Sequence, residues 1–382
     1  MTKLRVLSVF GTRPEAIKMC PLALALDERP EFESRVCVTA QHREMLDSVL
    51  ATFRLTPDYD LDVMEQGQTL PDITARVMTR LGGVLRELRP DVVLVHGETT
   101  TAFAAALAAF YEKIPVGHVE AGLRTFDRWS PYPEEMNRSL IGRLAEYHFA
   151  PTAQNRANLA REAVGGEIFV PGHTVIDAMR YPVNDAPFAC GALNDLDFSK
   201  RVIAMTCHRR ENYGEPMENI FSAVADLAAA FPEITVVYPV HLSPVVQRAA
   251  RAHLEQIPNV LLTDPLDAMD MHKLMNRSFF VMTDSGGLQE EAPALGKPVL
   301  VLRRETERPE AVAAGTVALA GTEREEILSL AAALLTDPAR YDAMAHAVNP
   351  YGDGQACRRI CDALAWGFGL TDQKPEEFTP GV

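Results

Sequence analysis

The sequence contains no Gly-x-Gly-x-x-Gly and no Gly-x-x-x-x-Gly-Lys-Ser/Thr segment, so it lacks the usual signatures of dinucleotide and P-loop nucleotide binding. Cysteine is sparse: Cys20, Cys37, Cys190, Cys207, Cys357 and Cys361 form no Cys-x-x-Cys pair, and the last two simply stand one helical turn apart. This spacing offers no zinc framework and no disulfide scaffold; it predicts reduced thiols, no metal and a cytoplasmic address. No apolar run is long enough for a membrane span. The first ten residues alternate briefly and break at Gly11-Thr12-Arg13-Pro14, without the length or flanks of a signal peptide. The Asn-Arg-Ser sequons at Asn137 and Asn276 are therefore expected to carry no glycan. Cations are in deficit: 37 Lys and Arg against 52 Asp and Glu give a formal charge of −15, which argues against nucleic acid or an anionic membrane as partner. An anionic ligand must meet a local cluster of Arg and Lys.

What is present is a recurring unit. Short β-branched runs at 4–10, 36–39, 92–96, 116–120, 202–206, 235–240, 260–262, 279–283 and 298–302 are followed by stretches of helical period. That alternation predicts an α/β protein, with parallel sheets covered by helices on both faces. A chain of 382 residues exceeds what one core usually serves, so two domains are expected. The period lapses in the turn-rich stretch 181–200. The expected division is a first Rossmann-like domain over 1–183, a linker at 184–200, and a second Rossmann-like domain over 201–356. Residues 357–382 would add a helix crossing back to the first domain and a polar tail, with Pro375 and Pro380, that is expected to fray.

Ligands of open α/β sheets bind beyond the carboxyl ends of the strands, and the chemically rich segments all fall there. After the first run, Gly11 permits a tight turn and Pro14 suits a first helical residue, so Arg13 and Lys18 lie where two cations could meet a phosphate. A Gly/Pro turn with solvated charges would explain the same residues. Ser285-Gly286-Gly287 opens the helical stretch 288–295 and would present backbone N–H groups to a diphosphate, with Glu290 and Glu291 available to ribose hydroxyls and Arg308 to a phosphate. A capped helix with two first-turn acids is the plain alternative. Glu98 and Glu120 end buried runs, where carboxylates are costly unless used or paired, and Glu134 and Arg138 share a helix face at i, i+4. Three carboxylates on one cleft suggest proton transfer at a sugar carbon. His208, beside Arg209 and Arg210, suits a phosphate or a leaving group, whereas His96, His118 and His241 stay open between lining the site and packing beneath it.

The strings FGTRPEAIKM from Phe10, VTAQHREMLD from Val38, VLVHGETTT from Val93, VGHVEAGLRT from Val116 and SPYPEEMNR from Ser130 stand in the first half. MTDSGG from Met282, QEEAPALGKPVL from Gln289, ERPEAV from Glu307 and NPYGDGQAC from Asn349 stand in the second. Together they resemble the bacterial non-hydrolysing UDP-N-acetylglucosamine 2-epimerases over about residues 4–360. The resemblance implies a GT-B fold, two Rossmann-like domains around a central cleft that holds the active site. It implies Arg13, Lys18, His208, Ser285, Gly286, Gly287, Glu291 and Arg308 as the UDP-sugar-binding set, and Glu98, Glu120 and Glu134 as catalytic carboxylates supported by Arg138 and His208. It further implies interconversion of UDP-GlcNAc and UDP-ManNAc through loss and re-addition of UDP across 2-acetamidoglucal, without metal or cofactor, in a homodimer whose product feeds envelope polysaccharide.

Three departures stand out. Relatives carry Asp at the position of Glu98, and Gly or Ala at that of Cys207, whose thiol beside two arginines is expected to be passive. Relatives that bind a second UDP-GlcNAc as activator use residues matching Gln41, Arg209 and His241, a candidate regulatory site, but the Gln and Arg they add are Glu44 and Gly67 here. A hydrolysing 2-epimerase or a GT-B glycosyltransferase would use the same UDP site, and a silent UDP-sugar sensor would have no use for three buried acids.

Overall fold

Parallel strands buried on both faces read as continuous Val, Leu and Ile runs, and those runs become the sheets here. The computed structural model describes residues 3–39, 43–65, 67–179, 181, 187–306 and 308–381, the side chains of 43–45 excepted. The first sheet contains β1 (Leu4–Phe10), β2 (Phe32–Val38), β3 (Tyr59–Asp60), β4 (Val92–His96), β5 (Val116–Val119), β6 (Tyr147–Phe149) and β7 (Glu167–Phe169). Its order is β3-β2-β1-β4-β5-β6-β7. The second contains β8 (Arg201–Thr206), β9 (Ile234–Pro239), β10 (Val260–Thr263), β11 (Phe280–Thr283), β12 (Val299–Val301) and β13 (Val317–Leu319), in the order β10-β9-β8-β11-β12-β13. Their neighbouring strands pair in parallel, as at Val6↔Val92 and Ile203↔Phe280. Each sheet therefore reverses direction of winding between its first and fourth strands, β1/β4 and β8/β11, the position where doubly wound sheets bind ligands.

Two compact units result, Met1–Tyr181 with Tyr351–Thr379, and Pro182–Pro350 with the last three residues. Strand interiors supply both cores. Leu7, Val9, Val93 and Val95 are fully buried in the first, and Ile203, Met205, Val236 and Phe280 in the second. Truncating such a side chain to Ala costs about 2–5 kcal/mol, transfer and cavity terms together.

The chain returns to the first unit at Tyr351, ahead of the expected boundary at 357. The helix Ala356–Gly367 is fixed there by Asp177, whose carboxylate accepts from the N–H of Ala356 (3.1 Å) and of Cys357 (2.9 Å). The tail does not fray: Phe378 is buried and its N–H donates to Val170 O at 2.7 Å, while Glu376 and Glu377 pair with Arg358 and Arg156. The described part of the stretch expected as a linker packs on the second unit, where Ala189 and Cys190 donate to Asp270 and Phe188 is buried. No helix among the described residues is long and apolar enough to cross a membrane.

Candidate functional site

The first unit holds a cavity of about 360 Å³ at its switch point, walled by the loop and helix after β1, the loop after β4, Glu120 after β5 and the start of the helix Glu134–Leu144. Gly11 is required by crowding: a Cβ there would lie 1.8 Å from Thr39 Oγ1. Thr12 caps the helix Arg13–Asp27 reciprocally with Glu15, so Arg13, not Pro14, is the first helical residue. Glu15 is buried, and the capping-box spacing Thr12-x-x-Glu15 is the signal in the sequence that could have found it. Its Oε2 accepts from the N–H of Gly11 (3.0 Å) and Thr12 (2.7 Å), and its Oε1 accepts from Thr99 Oγ1 (2.6 Å), which locks the loop after β1 to the loop after β4. One turn on, Lys18 reaches the cavity; half-buried Arg13 does not line it.

Glu120 leaves β5 in the left-handed region, φ 64°, a conformation that costs a non-glycine residue of order 1–3 kcal/mol and tends to collect at functional sites. Lys18 Nζ donates to its Oε2 at 2.7 Å, His96 Nε2 lies 2.6 Å from the same oxygen, and His173 Nε2 lies 3.2 Å from Oε1. Burial pushes the Glu120 carboxyl up, but these three partners outweigh it and hold the group well below the usual carboxylate range. Glu98 goes the other way. Burial and the neighbouring Glu120 raise it, only partly offset by Arg138, whose guanidinium lies 3.3 Å from Glu98 Oε1. Asn137 Nδ2 donates to Glu98 O at 2.9 Å and fixes its backbone. Two carboxylates in one cavity are thus driven in opposite directions, the pattern that separates a resting acid from a resting base.

Although they share a helix face, Glu134 and Arg138 do not pair with each other. Arg138 turns to Glu98 and, at 3.2 Å, to buried Glu135, which also accepts from the N–H of Thr125 and Phe126. Glu134 lines the cavity and has no ion-pair partner among the described residues. Of the undecided histidines, His96 lines the cavity. His118 packs beneath it, with Nε2 2.8 Å from Gly97 O and its pKa pushed down to about 3 by complete burial.

In the second unit Asp284, at the end of β11, is an organiser that no motif marks. Its fully buried Oδ2 accepts from the N–H of His208 (2.7 Å) and Arg209 (2.8 Å) and from Asn212 Nδ2 (3.1 Å), and its Oδ1 lies 3.3 Å from His208 Nδ1. The His208 ring stacks on His241, centroids 5.4 Å apart. Burial lowers its pKa, with Asp284 opposing and His241 and Arg209 assisting. Exposed His241 and half-buried Arg209 adjoin His208, whereas Gln41 lies outside the described residues. Ser285 N–H donates to Thr283 Oγ1, and Gly287 stands at the N-cap of the helix Leu288–Ala294 without a side-chain cap, with Gly286 just before it. Glu290 and Glu291 are already engaged: Glu290 pairs with Arg308 at 2.6 Å, and Glu291 Oε2 lies 3.2 Å from His272 Nε2.

The family model for UDP-N-acetylglucosamine 2-epimerase matches residues 24–365. The UDP-N-acetylglucosamine 2-epimerase of Bacillus subtilis is 53% identical over 380 residues, covering 99% of this chain and 100% of its own. A solved UDP-N-acetylglucosamine 2-epimerase superposes with TM-score 0.93 at 51% identity, covering 99% of this chain and all of that one. The UDP-GlcNAc 2-epimerase from Neisseria meningitidis, solved bound to UDP-GlcNAc, does so with TM-score 0.81 at 47% identity, covering 94% of this chain and 99% of that one. With these likenesses running through both sheets and the strand-end segments, the chain belongs to the UDP-N-acetylglucosamine 2-epimerase family.

Proposed function

We propose that the protein epimerises UDP-GlcNAc to UDP-ManNAc at C2 by eliminating UDP and adding it back, without hydrolysis. The observation that carries the reading is the pair Glu120 and Glu98 in a single cavity, the first held below the ordinary carboxylate range by its cationic partners and the second pushed above it by burial and by Glu120. The C2 hydrogen of an N-acetylated sugar has no adjacent carbonyl on the ring to acidify it. As the C1–O bond breaks, positive charge develops at C1 and weakens the C2–H bond for a carboxylate base. Glu120 takes that proton, UDP leaves with the C1–O electron pair, and 2-acetamidoglucal forms. Glu98 then delivers a proton to C2 from the other face while the diphosphate oxygen re-forms its bond to C1; in the reverse direction the two exchange roles. Glu134, ion-pair-free among the described residues, is available as a third proton-transfer group, with Arg138 steadying Glu98.

The nucleotide is assigned to His208, Ser285, Gly286, Gly287, Glu291 and Arg308, with Arg13 on the diphosphate. Backbone N–H groups and cations there hold the leaving group for re-addition. Lys18, whose ammonium sits on Glu120, is assigned to the carboxylate rather than to phosphate. Supply of ManNAc units for envelope polysaccharide, and a homodimeric assembly, belong to the same proposal.

The test uses heavy water and a heavy-oxygen label in the C1–O–P bridge of UDP-GlcNAc, followed by NMR. Product deuterated at C2, with the label scrambled into non-bridging β-phosphate positions, is expected. Retention of the original C2 hydrogen would overturn proton transfer, and free ManNAc with stoichiometric UDP would move the enzyme to the hydrolysing class.

A further inference from the structure

We infer that His173 is a positioning residue for Glu120, fixing the oxygen of the carboxylate opposite to the one that Lys18 and His96 hold. The inference deepens the proposed function and rests on its assignment of Glu120 to proton transfer.

Glu120 presents two oxygens. Oε2 faces Lys18 Nζ and His96 Nε2, so a carboxylate held there alone could still rotate about its last bond. His173 supplies the contact on Oε1, at 3.2 Å, which sets the plane of the group. A base works by aligning one lone pair with one C–H bond, and an ångström or a few tens of degrees of error removes much of its benefit.

The local structure of His173 points the same way. It stands at the N-cap of the short helix Thr174–Ala178, a position where Ser, Thr, Asp or Asn would turn its side chain onto the helix. His173 makes no such bond; its imidazole goes to Glu120 instead. Its backbone is held from another quarter, the N–H donating to Tyr351 O at 2.7 Å and the carbonyl accepting from Ile176. The residue is almost fully buried, so the ring does not wander. A side chain taken from capping, buried and seated on a strained carboxylate is serving that carboxylate. Among the described residues, the groups facing Glu120 are Lys18 from the helix Arg13–Asp27, His96 from β4, Glu98 after β4 with Arg138 behind it, Glu134 on the cavity wall, and His173.

The experiment compares wild type with H173L, which keeps bulk and removes the imidazole, and H173Q, which keeps an N–H donor but never a charge. Wild type is assayed first for conversion of UDP-GlcNAc to UDP-ManNAc; its failure would refute the proposed function, while the carboxyl titration below still tests His173. In H173L, kcat is expected to fall about tenfold or more, as for a misaligned general base, with KM within a few-fold. The acid limb of the kcat profile should move to higher pH in both variants, less in H173Q, because Glu120 loses a partner that favours its ionised form. Titration of isotopically labelled glutamate carboxyls by NMR should place the Glu120 resonance higher in H173Q than in wild type. A purely packing role would lower the yield of folded protein and leave both titrations where they were. An unmoved acid limb and an unmoved carboxyl titration in H173Q, which should fold even if H173L does not, would overturn the inference.

Discussion

In the first unit the brace across the switch point is Glu15, which sits on the helix after β1 and reaches forward to Thr99 beyond β4. In the second the brace is Asp284, which sits at the end of β11 and reaches back to the loop after β8. Both are buried carboxylates that take two backbone N–H groups from the loop after the first strand of their sheet. The direction of reach decides what remains for chemistry. With the brace on the helix, the ends of β4 and β5 are free to project Glu98 and Glu120 into a cavity. With the brace on the strand end, the next residues after β11 are Ser285-Gly286-Gly287, which offer backbone rather than side chain, and the loop after β8 presents a braced imidazole. One strand order thus supports a titrating half and an anion-holding half.

The largest effect should come from removing titration in the first unit. Glu98→Gln and Glu120→Gln are each expected to lower kcat by about 10²-fold or more, as for loss of a general acid or base, with UDP affinity by calorimetry held within a few-fold. Glu98→Asp, which shortens the side chain by one methylene, should keep measurable activity. A collapse of UDP affinity alongside kcat would break the division of labour.

A smaller effect should separate the two braces. Asp284 holds three donors and an imidazole in full burial, so Asp284→Asn removes a charge that its surroundings are built to match, at a cost of about 3 kcal/mol. Glu15→Gln keeps an oxygen for Gly11 and Thr12 and an N–H for Thr99, so about 1 kcal/mol is expected. Hydrogen exchange reads both locally, at His208 and Arg209 for one and at Gly11 and Thr12 for the other. Equal losses of protection would mean that the braces are equivalent.

The pH dependence of stability should also diverge, more weakly. Glu98 is raised in the folded state, so its contribution is complete below the ordinary glutamate range and is lost as pH rises through the folded value. Glu120 is depressed, so its contribution is present above that range and is lost as pH falls through its folded value. Relative to wild type, Glu98→Gln should therefore gain stability as pH rises above the ordinary glutamate range, and Glu120→Gln should lose stability as pH rises toward that range from below. Denaturant unfolding across that range should give differences of opposite slope, and parallel curves would refute the opposed environments.

The apolar runs made both sheets legible, because β1, β4, β8 and β11 are short stretches dominated by Val, Leu, Ile, Met and Phe. β6, β7 and β13, of three residues each, and β3, of two, carry too little periodicity to be read and are placed by their neighbours in the sheet. Candidate site residues in strand-end motifs could be named from the sequence, and so could the pull of burial on an acid. The partners were not. Nothing in spacing tells that Lys18 meets Glu120 at 102 residues' separation, that Arg138 turns to Glu98 and Glu135, or that Glu15 reaches on to Thr99. Asp284 did carry a signal, an acid at the end of a buried strand like Glu98 and Glu120, and the same rule applied to it would have found the brace. The polarity of the tail misleads, since buried Phe378 and the pairs of Glu376 and Glu377 with Arg358 and Arg156 anchor it.

The smallest effect concerns Cys207, where two neighbouring arginines in sequence would favour a thiolate. The structure reverses that balance. The side chain is fully buried, and burial together with Asp284 raises its pKa well above the ordinary thiol value. Its carbonyl accepts from Tyr238 Oη at 2.5 Å, and its thiol lies against Asp284 and Asn212. Cys207→Ala keeps that carbonyl and removes one buried sulfur, so a loss of about 1 kcal/mol is expected, at the small end of core truncations, with kcat near the wild-type value. Alkylation of the native protein should reach Cys190 first, since it is the one cysteine that is not buried. Loss of turnover in Cys207→Ala, or early alkylation of Cys207, would show that the second unit contributes a titrating group after all.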